Sequence, residues 1–193
     1  AKKYKDAEKL VKHQMDISHQ HPVFYIDLGE VYRLAGKGKK AEAQFQAAID
    51  QVNGDDMLTQ QIARAFVRTG NDAYTIKTYE HARSILRNPY MYYAPLARLY
   101  AKTGDIEKAV YTLLDGGIGN MRGIEDTKAT LLELTGTDPG NIRLAQKALV
   151  KRINADPENI YYGDLLTWVY TQKDDWDGAF IQIRAIDERN REH

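Results

Sequence analysis

The chain of 193 residues has no cysteine. Disulfides, thiolate metal sites and a cysteine nucleophile are therefore excluded, while a reducing cytosol and an oxidising periplasm both stay open as its location. Net charge is missing too, since twenty-seven Lys and Arg balance twenty-seven Asp and Glu. Nothing global draws such a chain to nucleic acid or to an anionic membrane, so electrostatic recognition has to be local. No apolar run approaches the roughly 18 residues that a bilayer span needs, and the opening AKKYKDAEKL is too charged for a signal peptide. The chain does not open on Met, so a mature or excised fragment is expected, and removal of an upstream export signal stays open. Serine is scarce, and neither a Gly-x-Ser-x-Gly elbow nor a His-Glu-x-x-His helix occurs. Acidic residues scatter over faces expected to be solvated, so no acid, base or nucleophile constellation forms and no enzyme or cofactor is expected.

Three short stretches come near a ligand-binding pattern without completing it. In HQHP, His19 and His21 stand near Asp16, but a zinc site needs further strong ligands and a helix is ending there before Pro22. DGGIGNMRG has the glycines of a phosphate-binding loop, yet that loop needs a preceding strand and fixed spacing, and here a helix precedes. KDDWDGAFIQIR offers Asp175, Asp177 and Gly178 of a calcium loop. Lys173 replaces its first acidic ligand and Arg184 its closing glutamate.

What the chain does have is recurrence. Leu28, Tyr32 and Gly36 in LGEVYRLAG return 34 residues later as Ile62, Phe66 and Gly70, and again as Leu96, Tyr100 and Gly104. Ala41, Phe45 and Ala48 return as Thr75, Tyr79 and Ala82, then as Ala109, Leu113 and Gly116. Small residues at the outer places let two helices approach closely, and the large residue between them fills what is left. Glycine at 36, 70 and 104 ends each first helix and turns the chain, because it takes positive φ without steric cost. Each period is thus a helix, a turn and a second helix, and a period of this size marks a repeat protein.

With Tyr25, Leu28, Gly29 and Tyr32 as its large, large, small and aromatic places, the pattern resembles the tetratricopeptide repeat (TPR) family. The resemblance implies an all-α, right-handed α-solenoid of helix-turn-helix hairpins acting as a non-catalytic protein-protein interaction scaffold. About five repeats and a leading half repeat are expected. A half repeat spans 1–21, followed by repeats at 22–55, 56–89 and 90–121, a degenerate fourth at 122–157 and a fifth at 158–193. In the fifth, Leu166, Tyr170, Ala179 and Ile183 take the repeat places, but Tyr170 lies 70 residues after Tyr100, two beyond two periods. The register of 120–157 is therefore open. Helices are expected at 3–18, 22–35, 38–52, 56–69, 72–86, 90–103, 106–115, 122–135, 140–155, 159–172 and 176–190, with no strand. The chain opens mid-repeat and closes on a helix with Phe180, Ile183 and Ile186 apolar, as though cut from something longer. Trp168, Gln172, Trp176 and RAIDER resemble large bacterial members of the family, some of them exported, which leaves cytoplasm and envelope both open.

In TPR proteins, ligand contacts come mostly from the second, fifth, ninth, twelfth and thirteenth places of each first helix. Here the first repeat supplies Val23, Ile26, Glu30, Arg33 and Leu34. The second supplies Met57, Gln60, Arg64, Val67 and Arg68, and the third Met91, Ala94, Arg98, Ala101 and Lys102. Trp168 falls on the same face in the last repeat. The cations form a basic stripe suited to the carboxylates of an acidic peptide or partner helix, or else they pair with acids on neighbouring helices. The chaperone-binding members use asparagine at the ninth place, where this chain has Glu30, Arg64 and Arg98, so their ligand is not expected. The alternative function is a structural spacer, or a segment that self-associates through its repeat ends.

Overall fold

The structure, a computed structural model, describes residues 2–118 and 124–191. Among these residues there are eleven helices and no strand: α1 (Lys2–Ile17), α2 (Pro22–Leu34), α3 (Gly38–Ile49), α4 (Asp56–Arg68), α5 (Asp72–Leu86), α6 (Tyr93–Lys102), α7 (Ile106–Gly117), α8 (Ile124–Thr135), α9 (Pro139–Ala155), α10 (Ile160–Thr171) and α11 (Trp176–Arg191). They fall into two compact units, residues 1–89 and 90–193.

Local chemistry sets most of the helix starts. Pro22 opens α2 with its φ already fixed, and His21 Nδ1 accepts the Val23 amide at 3.4 Å. Carboxylates cap α4, α7 and α9: Asp55 accepts from Leu58 N, Asp105 from Lys108 N and Asp138 from Asn141 N. α6 starts three residues later than the sequence suggests. Tyr92 stands in the left-handed region at φ 54° and cannot extend the helix, which leaves Met91 in the turn ahead of it.

The turn inside each hairpin is the same device four times. Backbone N–H groups of Lys37, Asn71, Asp105 and Asp175 donate to the carbonyls of Tyr32, Phe66, Tyr100 and Tyr170, at 2.8, 2.9, 2.8 and 3.1 Å. These bonds satisfy carbonyls at the helix end that lack an intrahelical partner. Gly36, Gly70 and Gly104 supply the left-handed residue in three copies, and Asp174 at φ 55° does so in the last. Tyr170 accepts the same turn bond as Tyr32. Further along, a turn runs from Gly136 to the cap Asp138, and residues 119–123 lie outside the described residues.

Packing inside the hairpins repeats as well. The aromatic ending the first helix meets the residue eight positions on: Lys40 Nζ lies 5.7 Å from the Tyr32 ring centre, and Lys108 Nζ 4.2 Å from that of Tyr100. Phe66 stacks on Tyr74 at 5.5 Å, and Gly178 leaves room for Tyr170. A second pair balances volume. In the α6–α7 hairpin Tyr93 is opposed by Gly116, where a Cβ would overlap the tyrosine's own Cβ. In α10–α11 the sizes are exchanged, with Gly163 facing Ile186. Close packing at interior density requires such compensation.

Hairpins then bury one another within each unit. In the first, Phe45 of α3 lies 5.6 Å from the Phe66 ring and 4.8 Å from that of Tyr74, both on the following hairpin. Glu8 on α1 accepts from Lys12 at 2.8 Å and from the Tyr32 hydroxyl at 3.0 Å, tying α1 to α2. In the second unit the Tyr161 hydroxyl donates to Thr127 Oγ1 at 2.9 Å, beside Gly117. Arg152 of α9 pairs with Asp115 of α7 at 2.6 Å. Fully burying a side chain such as Phe66 contributes roughly 1.5–3 kcal/mol, so each junction adds a comparable amount.

Candidate interaction surfaces

First helices α2 and α4 pack side by side in the first unit. Their shared outer face carries most of the contact residues expected there, but the charges are largely spoken for. Arg33 grips Glu30 through Nε, at 3.0 and 3.1 Å, and through Nη2 at 2.7 Å. Glu30 also accepts from Asn71 Nδ2 at 2.6 Å, so it braces α2 against the start of α5. Burial is the largest influence on Glu30 and works to raise its pKa, yet the bonds from Arg33 and Asn71 outweigh it and hold the carboxyl below its ordinary value. Arg68 reaches across to Asp27 of α2 at 2.6 Å. Gln60 accepts from the Tyr79 hydroxyl at 3.2 Å.

Ile26 is corrected by the structure. It is fully buried, so it supports this face from behind and is not available to a partner. Val23 is half-buried and Met57 is 71% exposed. Arg64 is exposed on the same side of α4 and has no ion-pair partner among the described residues. Met57, Arg64 and Val67 recur at i, i+7 and i+10, one line along a helix of 3.6 residues per turn, and Val67 is 51% exposed. An unpaired guanidinium flanked by two exposed apolar side chains is therefore the main feature of α4.

The second unit presents α6, α8 and α10. Arg98 of α6 donates through Nε to Glu133 of α8 at 2.8 Å and through Nη2 to Thr130 at 3.1 Å. Lys102 is exposed in the last turn of α6, and Met91 is half-buried just before that helix. Trp168, half-buried on α10, walls a mainly apolar cleft of about 280 Å³ with Leu131, Thr135 and Ile142. The sequence marked Trp168 but neither the cleft nor the acids that neutralise the arginines. A signal for those acids exists: Glu133 follows Arg98 by 35 residues, one period and a step, which brings it to the adjacent first helix.

The near-motifs find structural employment. Asp175 Oδ1 accepts from Gly178 N at the start of α11, and Gly116 and Gly117 sit where helices touch. Among the described residues no group of three His, Asp or Glu is placed to hold a metal.

One turn bond, one cross-turn contact and one set of buried places recur in step along the chain. The described residues thus form an all-α repeat of helix-turn-helix hairpins. No family model matches the chain, and no curated protein matches its sequence. Solved structures similar to this chain include a MamA double mutant, at 16% identity and a TM-score of 0.42, covering 89% of this chain and 96% of that one. MamA from residue 41 onward, from Desulfovibrio magneticus RS-1, gives 16% and 0.41 over 90% and 97%. The C-terminal part of a TPR repeat-containing protein from Cytophaga hutchinsonii gives 14% and 0.29 over 95% and 89%.

Proposed function

We propose that this TPR-like chain is a non-catalytic scaffold that binds an acidic, amphipathic segment of a partner protein, with α4 as the principal contact. The observation that carries the reading is the α4 line of Met57, Arg64 and Val67. A guanidinium without an internal partner is available to grip a carboxylate bidentately, and the flanking apolar side chains gain by leaving water. Arg33, Arg68 and Arg98 contribute less, because each must first give up a carboxylate it already holds. Lys102, Met91 and the Trp168 cleft offer the second unit's own contacts, the cleft receiving an apolar side chain.

The test is selection from a displayed random peptide library on the purified chain. The reading expects enrichment of sequences pairing Asp or Glu with a large apolar residue, lost in Arg64→Glu and largely kept in Arg98→Glu. Equal enrichment on Arg64→Glu, or none on the parent chain, refutes it.

A further inference from the structure

α4 is polarised along its axis. Asp55 and Asp56, both exposed, open it, and Arg64 and Arg68 stand in its last two turns. The four charges sum to zero but do not mix, since Asp56 and Arg64 are about 12 Å apart along a helix rising 1.5 Å per residue. On the neighbouring helix α2 the charges cancel in place, Asp27 with Arg68 and Glu30 with Arg33. Arg64 is thus the positive pole of this surface, and the start of α4 is its negative pole.

Spacing along α4 decides what form of chain matches it. Met57 and Arg64 are seven residues apart and Arg64 and Val67 three, about 10.5 and 4.5 Å of axis. A second helix alongside repeats those steps, and its own residues seven and three apart share one face. An extended segment cannot: its same-face side chains come about 6.6 Å apart. If its apolar side chains reach both Met57 and Val67, the one that falls near Arg64 points to the far side.

Direction follows from the poles. Helices hold acids best at their N-terminus and cations best at their C-terminus, which is the order of α4 itself. Run antiparallel, such a helix sets its acids against Arg64 and its cations against Asp55 and Asp56. Run parallel, it sets like against like.

We infer that the partner segment is a helix lying antiparallel to α4, reading Leu-x2-Glu-x6-Leu or its equivalent in large apolar and acidic residues, with Lys or Arg in the turn beyond. Its first apolar side chain meets Val67, its acid Arg64 and its second apolar side chain Met57, while the cation faces Asp55 and Asp56. Form, register and direction all rest on α4 being the contact surface of the proposed function.

The probe is a fluorescent peptide of about 18 residues with that sequence, stapled as a helix on the face away from the motif. Its Kd for the purified chain, read by anisotropy, should be at least about tenfold lower than that of three companions. One has Pro in the middle of the x6 stretch, one has the residue order reversed, and one has Glu moved two places round the helix. Arg64→Glu should lose the peptide and bind a version carrying Lys for Glu. Should that variant fail to fold, Arg64→Gln should lose the preference for Glu over Gln at the same peptide position. Equal binding of the proline peptide overturns the helix and leaves the proposed function standing, because that needs only an acidic, amphipathic segment. Equal or tighter binding of the reversed peptide overturns the direction. If no helical peptide binds, the inference fails outright, and library selection still decides the proposed function by itself.

Discussion

Gly116→Ala puts opposing effects on one atom. Inside α7, alanine should be favoured over glycine by ~1 kcal/mol on helix propensity alone. Against that, the new methyl would overlap Tyr93 Cβ and lie 2.9 Å from its Cδ2. Tyr93 Cβ is fixed to the α6 backbone, so no side-chain rotation relieves the clash, and α6 and α7 must part. Overpacking of this kind costs roughly 1–3 kcal/mol. The helices that part also share Leu96, Ala97, Tyr100, Ala109 and Leu113, all buried, which places the cost near the upper end. The net expectation is a loss of about 1–2 kcal/mol, seen as a lower urea midpoint by circular dichroism with little change in slope. Gly38→Ala is the control: Gly38 is exposed and no atom lies within 4 Å of its Cβ direction. It should be neutral or slightly stabilising. The pair Gly163 and Ile186 already shows the exchanged arrangement, so Tyr93→Gly in the Gly116→Ala background should recover part of the loss. If Gly116→Ala stabilises the protein by its full helix propensity, the close approach of α6 and α7 is refuted.

Arg87 closes α5 in the left-handed region at φ 49°, so Arg87→Gly should stabilise by up to about 1 kcal/mol in the same urea titration. Glu30 has a folded-state pKa below its ordinary 4.5. Its contribution is therefore complete above that value and lost as pH falls through the lower, folded one; Glu30→Gln should flatten the acid limb of stability against pH. Burial pushes Tyr161 and Tyr162 up to about 12, with Asp115 adding to the effect at Tyr162. Their stabilising effect is complete below pH 10, the unfolded value, and lost as pH rises through 12. Absorbance at alkaline pH should show two tyrosines ionising late, and Tyr161→Phe should remove one of them.

The architecture was legible because its determinants are local and periodic. Tyr32, Phe66 and Tyr100 sit 34 apart, and the glycines four residues beyond each mark a turn that needs positive φ. The fifth copy was harder to place because Asp174 does there what glycine does elsewhere, and only the bond from Asp175 to Tyr170 reveals the equivalence. The site was half legible. Which residues lie on first-helix faces followed from the repeat places, and Met57, Arg64 and Trp168 are exposed or half-exposed there. Whether a cation is available did not follow, since that depends on acids one helix away. Arg68 and Arg64 look alike in sequence, yet Asp27 holds one and not the other. Ile26 was misplaced for a similar reason: its place usually faces the ligand, but here the side chain is wholly enclosed.

The central physical claim is that successive hairpins cover apolar flanks that neither could cover alone. A double-mutant cycle between Phe45 and Tyr74, each changed to Leu, tests it directly, because their rings meet only if one hairpin lies on the next. Urea unfolding of the four proteins should give a coupling of about 0.5–1.5 kcal/mol, as for other aromatic pairs in contact. Additive effects, with the coupling indistinguishable from zero, would contradict it.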